Sequence, residues 1–136
     1  MSILKYIPIL SIVTAVAVIL FFILPRKIEI LESSEVILIY DYFDIKIYEN
    51  IYDESAIREL KMLFNGTVIK DSPSCGFSDN ISITFIGKNG LMLCPALDGC
   101  PLIKVGTTDK YLIISQETRT QLDAFLERYG FKFPAF

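Results

Sequence analysis

The chain has 136 residues, 52% of them hydrophobic, against the 45 to 50% that is usual for a soluble domain. It contains no histidine, which excludes the Ser-His-Asp, Cys-His and His-ligated zinc chemistries that need an imidazole as base or ligand. All 16 Asp and Glu follow residue 27, together with ten of the 13 Lys and Arg; a net charge of −6 with no basic run excludes binding to nucleic acid, which needs clustered positive charge.

The first element is an apolar run from Tyr6 to Pro25, YIPILSIVTAVAVILFFILP, with no charged residue. Twenty residues at about 1.5 Å rise span the roughly 30 Å hydrocarbon core of a bilayer. Thirteen of the twenty are Ile, Leu, Val or Phe, each favouring insertion by about 0.3 to 0.6 kcal/mol, which outweighs Ser11 and Thr14. Pro8 sits in the first turn, where its missing N–H costs nothing, and Pro25 ends the helix before Arg26 and Lys27. The run exceeds the roughly 7 to 15 residues of a cleaved signal's apolar region, and no small-x-small site follows it, so a retained single-pass anchor is expected. Lys5 on one side against Arg26 and Lys27 on the other leans toward a cytoplasmic domain. The signal-like start, the three cysteines and, in a eukaryotic secretory pathway only, the sequons Asn65-Gly66-Thr67 and Asn80-Ile81-Ser82 favour the opposite, and an extracytoplasmic domain in the cell membrane is the expectation.

Residues 26–34 read as a short juxtamembrane linker and 35–136 as one soluble α+β domain, too small to divide further. Val36 to Tyr40 (VILIY) is apolar on both faces, as in a central strand, and Phe43, Ile45 and Ile47 alternate with Asp44, Lys46 and Tyr48 as in a half-buried one. Asp53 or Ser55 caps a helix through Ile57, Leu60, Leu63 and Phe64, which Asn65-Gly66 ends. From Ile81 to Ser115 the segments ISITFI, LMLC, PLIKV and YLIIS, with short connections, predict a four-strand antiparallel meander. Ser115 caps a second helix whose stripe is Leu122, Phe125, Leu126 and Tyr129, and Gly130 closes it in the left-handed position. The aromatic tail from Phe131 to Phe136 is expected to pack on the sheet.

Cys75, Cys94 and Cys100 are the candidate disulfide or thiol positions. A two-residue turn at Asp98-Gly99 sets Cys94 and Cys100 about 11 Å apart, beyond disulfide reach, whereas an open loop over Pro95 to Gly99 brings them to about 5 Å. The two prolines favour the open loop. In the preceding hairpin a two-residue turn at Asn89-Gly90 sets Cys94 opposite Phe85; a three-residue loop from Lys88 to Gly90 puts Leu93 there, gathers Ile83, Phe85, Leu91 and Leu93, and turns Cys94 toward Ser82 and Thr84. A zinc site would take Asp98 as a fourth ligand but has neither a CxxC knuckle nor a histidine, and no cofactor is expected. Asp41, Asp44, Tyr40, Tyr42 and Tyr48 form an acidic and aromatic patch that fits either a strand rim or a protein partner.

With Asp98-Gly99-Cys100-Pro101, Tyr129-Gly130-Phe131 and Phe133-Pro134, the chain resembles small uncharacterised single-pass proteins of Gram-positive bacteria that end in a helix and a YGF-x-FP tail. The resemblance covers residues from about 50 onward and implies the same anchored, strand-rich architecture; it carries over no activity and no site residue. The functional expectation is a membrane-tethered, non-enzymatic binding or interaction domain. Its alternatives are a thiol-disulfide or cysteine-based metal site on the same domain, or an accessory subunit of a larger membrane complex.

Overall fold

A computed structural model describes residues 7–30 and 32–134 of the chain. The fold is α+β: α1 (Ile7–Ile23), β1 (Ser33–Tyr42), β2 (Ile45–Ile51), α2 (Glu54–Leu63), β3 (Thr67–Lys70), β4 (Ile81–Gly87), β5 (Leu91–Pro95), β6 (Leu102–Val105), β7 (Lys110–Ile113) and α3 (Gln116–Glu127). The seven strands make one antiparallel sheet in the order β2-β1-β4-β5-β6-β7-β3, with the expected meander from β4 to β7.

Period-two alternation decides which side of the sheet is the core. Val36, Leu38 and Tyr40 of β1 are buried while Ile37 and Ile39 are only partly so. The registers Val36↔Phe85, Leu38↔Ile83 and Ile83↔Leu93 carry that face across the sheet. Against it lie Ile57, Leu60 and Leu63 of α2 and Leu122, Phe125 and Leu126 of α3, forming one apolar cluster. Both helices start where a side chain takes an orphan N–H: Asp53 accepts from Ala56 at 2.8 Å and Ser115 from Thr118 at 3.0 Å. Gly130 has φ +91°, and a Cβ there would meet Ile47 Cδ1 at 2.9 Å, so the chain turns after α3 only because this residue has no side chain. Beyond it Phe131 is buried, and the Tyr40 hydroxyl donates to the Lys132 carbonyl at 2.7 Å.

Several expectations change. Phe43 is not in strand phase: it occupies the β1–β2 hairpin turn at φ +54°, 84% exposed, because Tyr42 pairs with Ile45 and leaves only two residues to turn the chain. β3 is an additional strand; its four residues with partial burial give little periodic signal. In the β4–β5 hairpin Phe85 faces Leu91, two residues from the three-residue-loop register but of the same parity, so Ile83, Phe85, Leu91 and Leu93 still share the core face. Cys94 shares the opposite face with Ser82, yet both are buried. The reason is tertiary: β3 and β4 run in the same direction, so residues 71–80 return across that face as a strap. Phe77 packs at a tilt against Tyr111, ring centres 5.2 Å apart, and Leu97 N–H donates to Gly76 O at 2.8 Å.

Described residues of the segment expected as a linker touch the domain. Arg26 forms an antiparallel bridge with Val68 on the free edge of β3, and Ile28 and Ile30 pack partly buried against the core. Because Arg26 runs antiparallel to β3, the chain reaches the sheet from the Lys70 end. The opposite end of the sheet carries the Phe43 turn and the loop between Pro95 and Leu102. Among the described residues no helix is long and apolar enough to cross a membrane. α1 counts 17 residues, and Tyr6, where the sequence places the start of the anchor, lies outside the described residues.

Candidate functional site

The residues with distinctive chemistry meet where the strap passes the β5–β6 loop. Cys94 pairs with Lys104 and Pro95 with Ile103, so the loop runs wider than either reading of the sequence allowed and Cys100 lies within it. Cys94 and Cys100 therefore do not face each other. Cys100 bonds instead to Cys75 of the strap, with Cα atoms 6.4 Å apart, and closes a loop across a separation of 25 residues. Hairpin geometry relates only cysteines on neighbouring strands, whereas Cys75 is brought by a crossover.

Asp98 sits at the tip of this loop, exposed, with Oδ1 accepting the Cys100 N–H at 3.3 Å. Its carboxylate and the two sulfurs of Cys75 and Cys100 lie within 4.8 Å of one another. Cys94 is a free thiol among the described residues and fully buried. Burial above all, then the charge of Asp79, push its pKa up to about 11 against the opposing pull of Lys104, so it stays a protonated, poorly nucleophilic thiol at neutral pH. The buried Ser82 hydroxyl on the same face has no hydrogen-bond partner among the described residues.

The group that sequence reasoning missed is Arg119 of α3, which is completely buried. Its guanidinium donates from Nη2 to Ala96 O at 2.7 Å, from Nη1 to Cys100 O at 2.8 Å and from Nε to Asp123 Oδ1 at 2.8 Å, and it lies 5.1 Å from the centre of the Phe133 ring. Asp123 is held above the usual carboxylate range because burial outweighs the attraction of Arg119. The arginine thus ties the β5–β6 loop to α3 from beneath while the disulfide ties it to the strap from the side. The one available signal was the spacing of Arg119 and Asp123, which puts opposite charges on one helix face, but most such pairs are solvated.

The acidic and aromatic patch is only partly assembled. Tyr40 turns into the core and Asp41 pairs with Lys46 at 3.3 Å, leaving Asp44, Phe43 and Tyr48 exposed, with Tyr42 edge-on to Phe43 at 4.3 Å. No protein-family model, curated protein or solved structure matches this chain.

Proposed function

We propose that this chain is a membrane-tethered, non-enzymatic interaction domain, anchored by Tyr6 to Pro25 and presenting the Phe43 turn and the disulfide-bound loop away from the bilayer. The observation that carries it is the surface of α1: every large apolar residue from Ile9 to Leu24 is at least half exposed, from 50% at Val16 to 74% at Phe22, on all sides of the helix. α2 and α3 bury a stripe against the sheet, whereas α1 offers its whole circumference to something outside the chain. Hydrocarbon fits, because the hydroxyls of Ser11 and Thr14 donate to Pro8 O and Leu10 O and so are both satisfied within the helix. The 17 helical residues are extended by the Leu24 N–H to Leu20 O bond at 3.0 Å toward the 20-residue uncharged run.

The Cys75–Cys100 pairing favours an oxidising, extracytoplasmic location for the domain. Entry of the chain from the Lys70 end of the sheet leaves the opposite end facing away from the headgroups. There Phe43 keeps a left-handed backbone and an exposed ring, a combination that costs folding energy and contributes nothing to the core, as expected of a contact residue.

The anchor is tested by floating vesicles that carry the full chain after washing at high salt and alkaline pH. Retention with the lipid is expected, and release into the wash refutes the anchor. Protease added to right-side-out vesicles should digest the domain; complete protection overturns the assigned side.

A further inference from the structure

We propose that Cys75, Cys100 and Asp98 form, once their disulfide is reduced, a binding site for a borderline-soft divalent cation such as zinc. The proposal stands on the loop geometry and not on the anchor; it concerns the reduced chain, whereas the intact disulfide belongs to the oxidising location favoured above.

A tetrahedral zinc centre with ligand bonds of about 2.0 to 2.3 Å holds its ligand atoms roughly 3.5 Å apart. The two sulfurs and the Asp98 carboxylate already lie within 4.8 Å of one another, and breaking the S–S bond lets side-chain rotation supply the rest. Two thiolates and a carboxylate carry the charge and the softness that zinc prefers, and leave the fourth position to water. Asp98 is exposed and Cys75 and Cys100 are partly so, which gives the cation a path from solvent.

The site outlasts the bond that masks it because other interactions hold both ligand-bearing segments. Leu97 N–H donates to Gly76 O at 2.8 Å, joining the loop to the residue after Cys75. Arg119 fixes the carbonyls of Ala96 and Cys100 from the helix side at 2.7 and 2.8 Å. Phe77 on Tyr111 and the Lys104–Asp79 ion pair at 3.9 Å keep the strap on the sheet. Asp98 Oδ1 is held near Cys100 by the N–H it accepts. Cys94, buried beneath the strap, takes no part.

Reduction by a phosphine is balanced: phosphorus attacks one sulfur, water supplies the oxygen of the phosphine oxide, and both sulfurs end as thiols. The cation then displaces the two thiol protons. The test uses the full chain in detergent micelles, reduced, freed of phosphine under argon, and titrated with cobalt(II) and then zinc. One cobalt per chain with a thiolate-to-cobalt charge-transfer band, displaced by zinc, is expected. Asp98→Asn, at an exposed position, should weaken binding about tenfold or more, the size of effect seen for residues supporting a metal site, and Cys94→Ser should leave it unchanged. Absence of the band, a band that survives in the Cys75→Ser/Cys100→Ser double variant, one lost in Cys94→Ser, or an undiminished affinity in Asp98→Asn overturns the proposal. So does loss of the near-ultraviolet circular dichroism on reduction alone, because the site would then not outlast its disulfide.

Discussion

Replacing Arg119 by Met tests whether the β5–β6 loop is held from within the core. The substitution keeps an unbranched side chain in the site but removes the donors to Ala96 O, Cys100 O and Asp123 Oδ1, three contacts of 2.7 to 2.8 Å at a group with no exposed surface. A hydrogen bond to a charged group contributes about 1.5 to 3 kcal/mol net, and removing one partner of a buried ion pair costs about 3 to 5 kcal/mol. The buried Ala96 carbonyl has no route to water, whereas Asp123, its side chain 26% exposed, recovers part of its hydration. The expected loss is therefore about 3 to 4 kcal/mol rather than the sum of three bonds. Urea denaturation of the full chain in micelles, followed by tyrosine fluorescence, reads it as a lower midpoint at unchanged slope. Asp123→Asn should cost about 1 kcal/mol, and the double variant less than the two singles together, since the pair is in contact. A loss below about 1 kcal/mol for Arg119→Met, or strict additivity with Asp123→Asn, would refute the latch.

Reducing the Cys75–Cys100 bond, which closes a separation of 25 residues, should cost about 3.5 kcal/mol by chain entropy, read from denaturation with and without phosphine. Cys94, its pKa raised to about 11, favours the folded state as a thiol; that contribution is complete below its unfolded value near 9 and is lost as pH rises through 11. Stability should accordingly fall between those values, the fall should vanish in Cys94→Ala, and an alkylating reagent at pH 8 should label Cys94 only after denaturation. Phe43→Gly relieves a left-handed backbone and should change stability by no more than about 1 kcal/mol while abolishing co-purification of any partner in mild detergent; a partner retained in full counts against the Phe43 turn as the contact. Gly66→Ala should destabilise the β3–β7 edge, because a Cβ there collides with the Ile113 carbonyl; unchanged thermal stability would show that the edge yields.

What the sequence by itself determined is local. Helix starts at Asp53, one of two caps the sequence offers, and at Ser115, the left-handed Gly130 and the meander from Ile81 onward follow from capping chemistry, a missing Cβ and period-two alternation, each encoded within a few residues. Charge and the absence of histidine likewise narrowed the chemistry without any coordinates. The site was decided elsewhere. Cys94 read as turned to a polar face, and is buried only because residues 71–80 cross that face between two strands of like direction. The same crossing, and no hairpin register, delivers Cys75 to Cys100. Nothing in the helix's own sequence marks Arg119 for burial; the β5–β6 loop lies over it and offers two carbonyls. Strand alternation and helix caps are short-range and can be read along the chain. Which strap covers a sheet, and which carbonyls surround a guanidinium, depend on chain crossings between segments far apart in sequence, and those exist only once the sheet has closed its order.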